Sequence, residues 1–267
     1  MTVKSIMSGA QNMKKVIRLG LVLLAVCLGQ AFAQSTETGF LDRSTEVDGD
    51  SYGYQVYLPR NYSAEEEWPV ILFLHGAGER GDDGLKQTQV GLGRAVRLNA
   101  ERWPAIIIFP QAPTNELWQG KTASAAMSAL DATIAEFSAD ESRVYLTGLS
   151  LGGNGSWYLG HQHPERFAAV VAVCGFVQLG DRVASFTGDA DNPYGAVAAR
   201  LSTTPVWIYH GDADVVVPVD ESRSMARELR AAGTEVHYTE LPGVNHNSWD
   251  AAYADDELST WLFSQSL

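Results

Sequence analysis

The hydrophobic residues of this chain are grouped in short continuous runs that alternate with segments of helical spacing. Continuous apolar runs, which are typical of strands buried on both faces of a sheet, occupy residues 70–74, 105–109, 144–147, 168–173 and 205–209. Apolar residues recur at helical intervals over about 85–99, 124–137, 150–160 and 221–232. This alternation predicts an α/β fold, in which helices cover both faces of a mostly parallel central sheet.

The pattern changes near both ends of the predicted sheet. Residues 51–58 alternate between apolar and polar positions, which predicts a half-buried antiparallel strand near one sheet edge. Residues 235–240 alternate in the same way, and a closing helix is predicted at about 255–263. The irregular stretch 175–204 is too short for a large helical cap. We therefore expect no large lid domain and an open site.

The first 33 residues have the pattern of a secretory signal peptide. Basic residues precede the apolar run 19–28, and the small-x-small pattern Ala31-Phe32-Ala33 follows it. We expect cleavage after Ala33 and a secreted or periplasmic protein. The apolar run is shorter than the roughly 20 residues that a membrane-spanning helix needs, so stable membrane insertion is not expected. Lipid attachment at Cys27 is the less favoured alternative, because it requires a small residue where Val26 stands.

The expected domain organisation follows from these patterns. Residues 1–33 form the signal peptide, the weakly patterned residues 34–50 form a leader, and residues 51–267 form one catalytic α/β domain. The mature chain keeps a single cysteine, Cys174, within an apolar segment. An internal disulfide is therefore excluded, and a buried core thiol is expected.

The charge of the chain limits the classes of partner that it can bind. The 267 residues carry a formal net charge of −13, and the signal peptide holds four basic residues and no acidic ones, so its removal gives −17. A surface of this charge repels nucleic acid. We therefore expect no nucleic-acid partner.

The stretch Gly148-Leu149-Ser150-Leu151-Gly152 stands between a predicted strand and a predicted helix. This order is that of a nucleophile elbow, in which the serine adopts a strained backbone conformation on a very tight turn. Only glycine fits two positions before and after such a serine. The stretch therefore predicts Ser150 as a nucleophile at the carboxyl end of its strand, where chemistry gathers in parallel sheets.

A serine hydroxyl needs a base to take its proton and an acid to orient that base. His246 is our candidate base, because it lies in the loop after the last predicted strand. Asp212 and Asp214 both follow the strand 205–209, and their spacing alone does not separate them as the acid. The five other histidines are expected to have structural roles: His75, His161, His163, His210 and His237.

Backbone amides are expected to hold the negative oxygen of the tetrahedral intermediate. One donor is predicted to be the N–H of Leu151, directly after the nucleophile. The other should come from the glycine-rich loop after the strand 70–74. We predict the N–H of Ala77 for this role, with Gly76 as the competitor.

Four motifs together resemble the α/β-hydrolase superfamily: Leu74-His75-Gly76-Ala77-Gly78-Glu79-Arg80-Gly81, the elbow, His210-Gly211-Asp212-Ala213-Asp214 and Asn245-His246. Within it, the chain is similar to small secreted esterases of the phospholipase/carboxylesterase and feruloyl-esterase-like groups, some of which are labelled predicted peptidases. The resemblance covers residues 51–262 and implies an α/β-hydrolase fold. It also implies that the acid is the residue four after the histidine of its motif, which is Asp214.

The resemblance implies a secreted serine carboxylesterase that hydrolyses short-acyl, aryl or polysaccharide-linked esters of the feruloyl or acetyl type, with no cofactor. Trp118 follows the strand 105–109 on the same predicted rim as the triad loops, and it is our candidate substrate-binding residue. Asp189 and Asp191 could bind calcium, but a simple turn is favoured there and no metal is predicted.

Two alternative functions remain. One is a secreted serine peptidase of the same fold, although cleavage of an amide needs stronger protonation of the leaving group and usually an additional substrate-positioning domain. The other is a non-catalytic binding module, which would normally have lost a member of the triad. All three candidate triad residues are present, so the esterase is the favoured interpretation.

Overall fold

An eight-stranded sheet forms the centre of the molecule. The structure, a computed structural model, describes residues 37–188 and 190–267. The strands are β1 (Gly39–Val47), β2 (Asp50–Leu58), β3 (Trp68–Leu74), β4 (Ile106–Pro110), β5 (Ala139–Leu149), β6 (Ala169–Val173), β7 (Val206–Gly211) and β8 (Val236–Leu241). They lie in the order β1-β2-β4-β3-β5-β6-β7-β8. The six strands from β3 to β8 pair in parallel, which confirms the predicted sheet.

The first two strands form an antiparallel hairpin at one sheet edge, and β2 also pairs antiparallel with β4. The expectation of a leader over 34–50 is wrong for most of its length, because Gly39–Val47 pairs with β2 along its whole length. Asp48 and Gly49, both with positive φ, form the two-residue turn between the strands, and Asp-Gly is a strong hairpin signal. The α/β domain therefore begins before residue 51.

Seven α-helices cover the sheet in the described part of the chain. They are α1 (Gly91–Leu98), α2 (Gly120–Glu136), α3 (Leu151–Gln162), α4 (Pro193–Arg200), α5 (Asp220–Ala231), α6 (Trp249–Ala254) and α7 (Asp256–Ser264). Because successive strand side chains point to opposite faces, Leu72 and Leu74 join the core under α2 to α5, whereas Ile71 and Phe73 join the core under α1, α6 and α7. Helices on both faces confirm the predicted layers.

The irregular stretch 175–204 contains one helix, α4, which the hydrophobic pattern did not predict. Its signal is local instead: the side chain of Asn192 accepts a hydrogen bond from the Gly195 N–H at 3.0 Å, and Pro193 occupies the first turn, both of which favour helix initiation. Eight residues of helix form no lid domain in the described part of this stretch.

The predicted signal peptide lies outside the described residues. Within residues 37–188 and 190–267, no helix has both the length and the apolar character needed to cross a membrane.

Candidate active site

Ser150 stands on the turn between β5 and α3 in a strained conformation. Its φ of 53° and ψ of −114° lie in a region that non-glycine residues rarely adopt. A Cβ atom at Gly148 would overlap the carbonyl oxygen of Gly152, and one at Gly152 would overlap the carbonyl oxygen of Leu74. The elbow geometry therefore requires glycine at both positions, as the sequence predicted.

The loops after β5, β7 and β8 bring three polar side chains into one hydrogen-bonded chain. His246 Nε2 lies 2.9 Å from Ser150 Oγ, and His246 Nδ1 lies 2.7 Å from Asp214 Oδ2. A carboxylate only accepts, so Nδ1 carries the proton and Nε2 is free to accept the serine O–H. Asp212 lies outside this chain, because its Oδ1 accepts the Gly243 N–H at 2.6 Å.

The Asp214 carboxylate is completely buried, and both of its oxygens accept hydrogen bonds. Its Oδ1 accepts the N–H groups of Val216 and Val217 at 2.8 and 2.9 Å, while Oδ2 faces His246. Burial alone would raise the pKa of Asp214, but the hydrogen bonds from His246 and the two amides outweigh it and hold the pKa below its usual value. The carboxylate therefore stays charged at neutral pH.

A second histidine reaches the same carboxylate, and its contact with Asp214 was not predicted. His210 is buried, and its Nε2–H is shared between the carbonyl of Val217 at 3.0 Å and Asp214 Oδ2 at 3.2 Å. Its Nδ1 accepts the hydroxyl of Ser222 at 2.7 Å. Burial lowers the pKa of His210. The ring is therefore neutral and acts as a hydrogen-bond donor to Asp214, and the four-residue spacing of the motif is the signal that could have revealed it.

His75 fixes the loop that was predicted to supply an oxyanion donor. Its Nδ1–H donates to the Gly76 carbonyl at 2.6 Å, and its Nε2 accepts the Ala112 N–H at 3.0 Å. Burial lowers the pKa of His75 to about 4, so the ring is neutral and both bonds persist at neutral pH. The expected structural role of His75 is the one that its contacts support.

The two backbone amides that were predicted to bind the oxyanion stand at the starts of helices. Ala77 is the first residue of a short 3₁₀ helix, Ala77–Glu79, and Leu151 is the first residue of α3. The N–H of a first helical residue has no acceptor within its helix, so both amides are available to a ligand.

The structure contradicts the predicted role of Trp118 as a wall of the site. Its side chain is only 1% exposed. The indole N–H donates to the His75 carbonyl at 3.0 Å, and the indole meets the His75 ring edge-on at 4.9 Å between centroids. Trp118 therefore supports the oxyanion loop from within the core. Position along the chain placed it at the correct edge, but the direction of its side chain is set by packing.

Apolar side chains line the rim around the triad. Val215 is 83% exposed directly after Asp214, and Val216 is also exposed. On the other side, Trp249 meets the His246 ring edge-on at 5.4 Å. Trp249 also lines a cavity of about 210 Å³ between α1 and α6. The rim is thus open and partly apolar.

Cys174 lies below the triad and is fully buried, as predicted for a core thiol. Ligand atoms of Cys174, Asp214 and His246 lie within 4.8 Å of one another. Burial raises the pKa of the thiol to about 12, so it stays protonated at neutral pH and is a poor metal ligand. Asp189, half of the acidic pair considered for calcium, lies outside the described residues.

The whole arrangement has the geometry needed for nucleophilic catalysis. A hydroxyl contacts one imidazole nitrogen, a buried carboxylate holds the other nitrogen, and the amide of Leu151 directly follows the serine. In such an arrangement the imidazole can take the serine proton and the amide can bind the developing negative charge.

Comparison with known proteins agrees with this geometry. The chain is 25% identical over 215 residues to an uncharacterized secreted protein of Arthroderma benhamiae, covering 71% of this chain and 22% of that protein. It is 25% identical to acetylxylan esterase A of Emericella nidulans, over 68% of this chain and 66% of the relative. It is 28% identical to feruloyl esterase B of Thermothelomyces thermophilus, over 92% of this chain and 90% of the relative. The chain thus spans from about a fifth to nine tenths of these relatives.

Among solved structures, a thermostable esterase superposes with a TM-score of 0.74 at 29% identity, over 85% of this chain and 63% of the esterase chain. This similarity confirms the predicted α/β-hydrolase fold. The sequence profile of the prolyl oligopeptidase family matches residues 111–263, which include Ser150, Asp214 and His246. This match extends over more than half of the 267 residues. The chain therefore belongs to the prolyl oligopeptidase family.

Proposed function

We propose that this protein is a secreted serine carboxylesterase that hydrolyses short-acyl, aryl or polysaccharide-linked esters of the feruloyl or acetyl type. The single observation that carries the proposal is the hydrogen-bonded chain from Ser150 through His246 to Asp214, with distances of 2.9 and 2.7 Å, on a strained elbow. The named activities of the acetylxylan and feruloyl esterase relatives support the ester class.

In the proposed reaction, His246 Nε2 takes the hydroxyl proton as Ser150 Oγ attacks the ester carbonyl. The carbonyl π electrons move to the oxygen, which becomes the oxyanion. Asp214 stabilises the imidazolium through Nδ1–H. When the tetrahedral intermediate collapses, the bond to the leaving alkoxy oxygen breaks, and His246 gives its proton to that oxygen. An acyl-serine and a free alcohol result.

Water completes the cycle by the same steps. His246 takes a proton from water as the oxygen attacks the acyl carbon, and Ser150 leaves with that proton as the acid product forms. The amides of Ala77 and Leu151 are proposed to bind the oxyanion in both halves of the reaction, and each such donor contributes on the order of 10²-fold or more to kcat.

The shape of the rim supports small or externally accessible acyl groups. Val215 and Trp249 offer apolar contact beside the triad, and the described residues of the stretch after β6 form no lid domain over it. Secretion is proposed from the pattern of residues 1–33 and is supported by the relative described as a secreted protein.

Peptide hydrolysis is the second candidate, and one observation favours it: the family to which the chain belongs is described as that of prolyl oligopeptidase. The same triad serves both reactions, but an amide leaves as an amine that must be protonated. Ester and amide substrates must therefore be compared directly.

The test is hydrolysis of p-nitrophenyl esters of increasing acyl length, a feruloyl ester, acetylated xylan and a chromogenic prolyl peptide. Ser150→Ala should reduce ester turnover by about 10⁶-fold in kcat. Ser124→Ala, at an exposed serine on α2, is the matched control and should retain parent activity. Turnover of the peptide alone would establish the peptidase instead, and no turnover of any substrate would establish a binding module.

A further inference from the structure

The sheet order places a second group of loops beside the triad. Moving from β5 away from β6, the next strands are β3, β4 and β2. Because β2 runs antiparallel to β4, with Tyr54 opposite Pro110, the first residues of β2 lie at the carboxyl end of β4. Asp50 and Tyr52 therefore share the sheet edge that holds Ser150. Three strand spacings separate β2 from β5, which is about 14 Å.

An open groove of about 690 Å³ occupies this part of the edge. Its walls come from the start of β2, from the loop between β4 and α2, and from the first turn of α2. The lining includes the side chains of Asp50, Tyr52, Asn115, Gln119 and Lys121. This volume lies within the range of about 300–1,000 Å³ that is typical of pockets for one small molecule. Because the groove is open, a longer ligand can continue beyond it.

The groove carries polar groups that both donate and accept, beside a larger apolar part of its lining. Asn115 and Gln119 carry side-chain amides, each with two donors and a carbonyl acceptor. Lys121 Nζ pairs with Asp50 Oδ2 at 2.9 Å, and both side chains are more than half exposed. Tyr52 is half-buried and supplies one aromatic ring. This set suits a ligand that carries many hydroxyl groups and also has C–H faces that can lie on an aromatic ring.

Gln119 adds an observation that points toward a ligand. Its Nε2 is buried and has no acceptor among residues 37–188 and 190–267. A buried donor without a partner costs roughly 1–3 kcal/mol. Gln119 lines the groove, so a rotation of its side chain toward the groove would let a ligand hydroxyl accept from this amide.

One arginine links the groove to the oxyanion loop. Arg80 Nε donates to the carbonyl of Ala77 at 3.0 Å, and Arg80 Nη1 donates to the carbonyl of Glu116 at 3.3 Å. Glu116 lines the groove. The Arg80 guanidinium therefore contacts both a residue that lines the groove and the residue whose amide is proposed to bind the oxyanion. A ligand in the groove and an ester at Ser150 can thus belong to one molecule.

We propose that this groove binds the neutral polysaccharide chain that carries the ester cleaved at Ser150. The inference rests on the proposed function and narrows its substrates to polymer-linked esters. The exposed Lys121–Asp50 ion pair in the walls disfavours an acyl chain of a lipid, and the net charge of −13 disfavours a polyanion. Neutral glycans combine hydroxyl edges with apolar ring faces, which matches the amides and Tyr52.

The first test measures binding without hydrolysis. Ser150→Ala protein is titrated with chemically deacetylated xylan, and Tyr52→Ala and Gln119→Ala are added to it separately. Each should weaken binding by about tenfold. Tyr158→Ala is the matched control, because Tyr158 is a half-buried tyrosine in another open groove, between α2 and α3, and it should leave binding unchanged. Thermal unfolding verifies that each variant is folded.

The second test compares substrates in the protein with Ser150 intact. For Tyr52→Ala and Gln119→Ala, kcat/KM on acetylated xylan should fall about tenfold more than kcat/KM on p-nitrophenyl acetate, mainly through KM. Equal ratios in parent and variants, or xylan binding that the two variants do not weaken, would overturn the groove. If the parent hydrolyses no ester while the groove variants still lose xylan binding, the proposed function fails and the groove stands.

Discussion

The carboxyl edge of the sheet is divided by Ser150 into two sides that are built differently. On the β6 to β8 side, the groups proposed to react are side chains, and Asp214 and His246 meet through a direct hydrogen bond. On the β3 and β4 side, the expected contribution is a backbone amide, and the side chains of His75 and Trp118 hold that backbone in place. Substitutions on the first side should therefore change chemistry, and those on the second should change stability first.

The sharpest test of the first side is Asp214→Asn. An asparagine cannot hold His246 with Nδ1 protonated as the carboxylate does, and kcat for a p-nitrophenyl ester should fall about 10⁴-fold. Asp212→Asn is the matched control two residues away. Its oxygen can still accept the Gly243 N–H, so its kcat should stay within about twofold of the parent. Equal losses in the two variants would remove Asp214 from the triad.

Trp118→Ala tests the second side. Removal of this buried indole should lower the free energy of unfolding by about 3–5 kcal/mol, measured by urea denaturation. Trp118→Phe keeps most of the packing but leaves the His75 carbonyl without its indole donor, and it should cost about 1–3 kcal/mol. A rise in KM with unchanged stability in both variants would mean that Trp118 contacts the substrate. It would contradict the proposed difference between the two sides of the sheet edge.

The two sides also differ in how much their sequences reveal. Triad chemistry requires particular residue types in loops at strand ends, so motif and position alone predicted Ser150 and His246, and the family resemblance pointed to Asp214. The structure places these three side chains in hydrogen-bond contact, and their catalytic roles stay predictions. An indole can either line a site or fill a core, and Trp118 stands at the right edge for both. Only packing against His75 decides between them.

Similar reasons explain what the sequence missed in the fold. Parallel strands are buried on both faces and give continuous apolar runs that are easily recognised. β1 is an edge strand in which Leu41 is buried while most other positions are half-buried or exposed. Its apolar pattern is therefore weak, and the Asp48-Gly49 turn was its clearest signal.

His75 lies on the β3 and β4 side, and its burial predicts that the stability of the protein depends on pH. The pKa of the folded His75 is about 4, whereas an unfolded histidine has a pKa near 6.5. Between these values the unfolded state binds more protons, so stability falls as pH drops from 6.5 to 4, by about 3 kcal/mol from this group. Urea denaturation at pH 7 and pH 4 should show a difference smaller by that amount in His75→Gln. An identical pH dependence in parent and variant would mean that His75 titrates normally.

The smallest effect on kcat is expected for substitutions of His210. This side chain belongs to the triad side, yet like His75 it is buried, neutral and used for position. In His210→Gln the amide nitrogen can replace Nε2 as a donor to Asp214, whereas in His210→Asn the shorter amide can reach only the place of Nδ1, near Ser222. We expect kcat to fall about tenfold in His210→Asn, equivalent to the loss of one hydrogen bond of about 1.4 kcal/mol, and clearly less in His210→Gln.

Stability separates this positioning role from a structural one. Both His210 variants change a buried side chain, so their free energies of unfolding should fall by similar amounts in urea denaturation. If kcat falls by similar amounts in the two variants, as their free energies of unfolding do, His210 only holds the loop after β7. If kcat is retained in His210→Gln at equal loss of stability, the imidazole Nε2–H orients Asp214, and through it His246, by a contact that the rest of the fold does not replace.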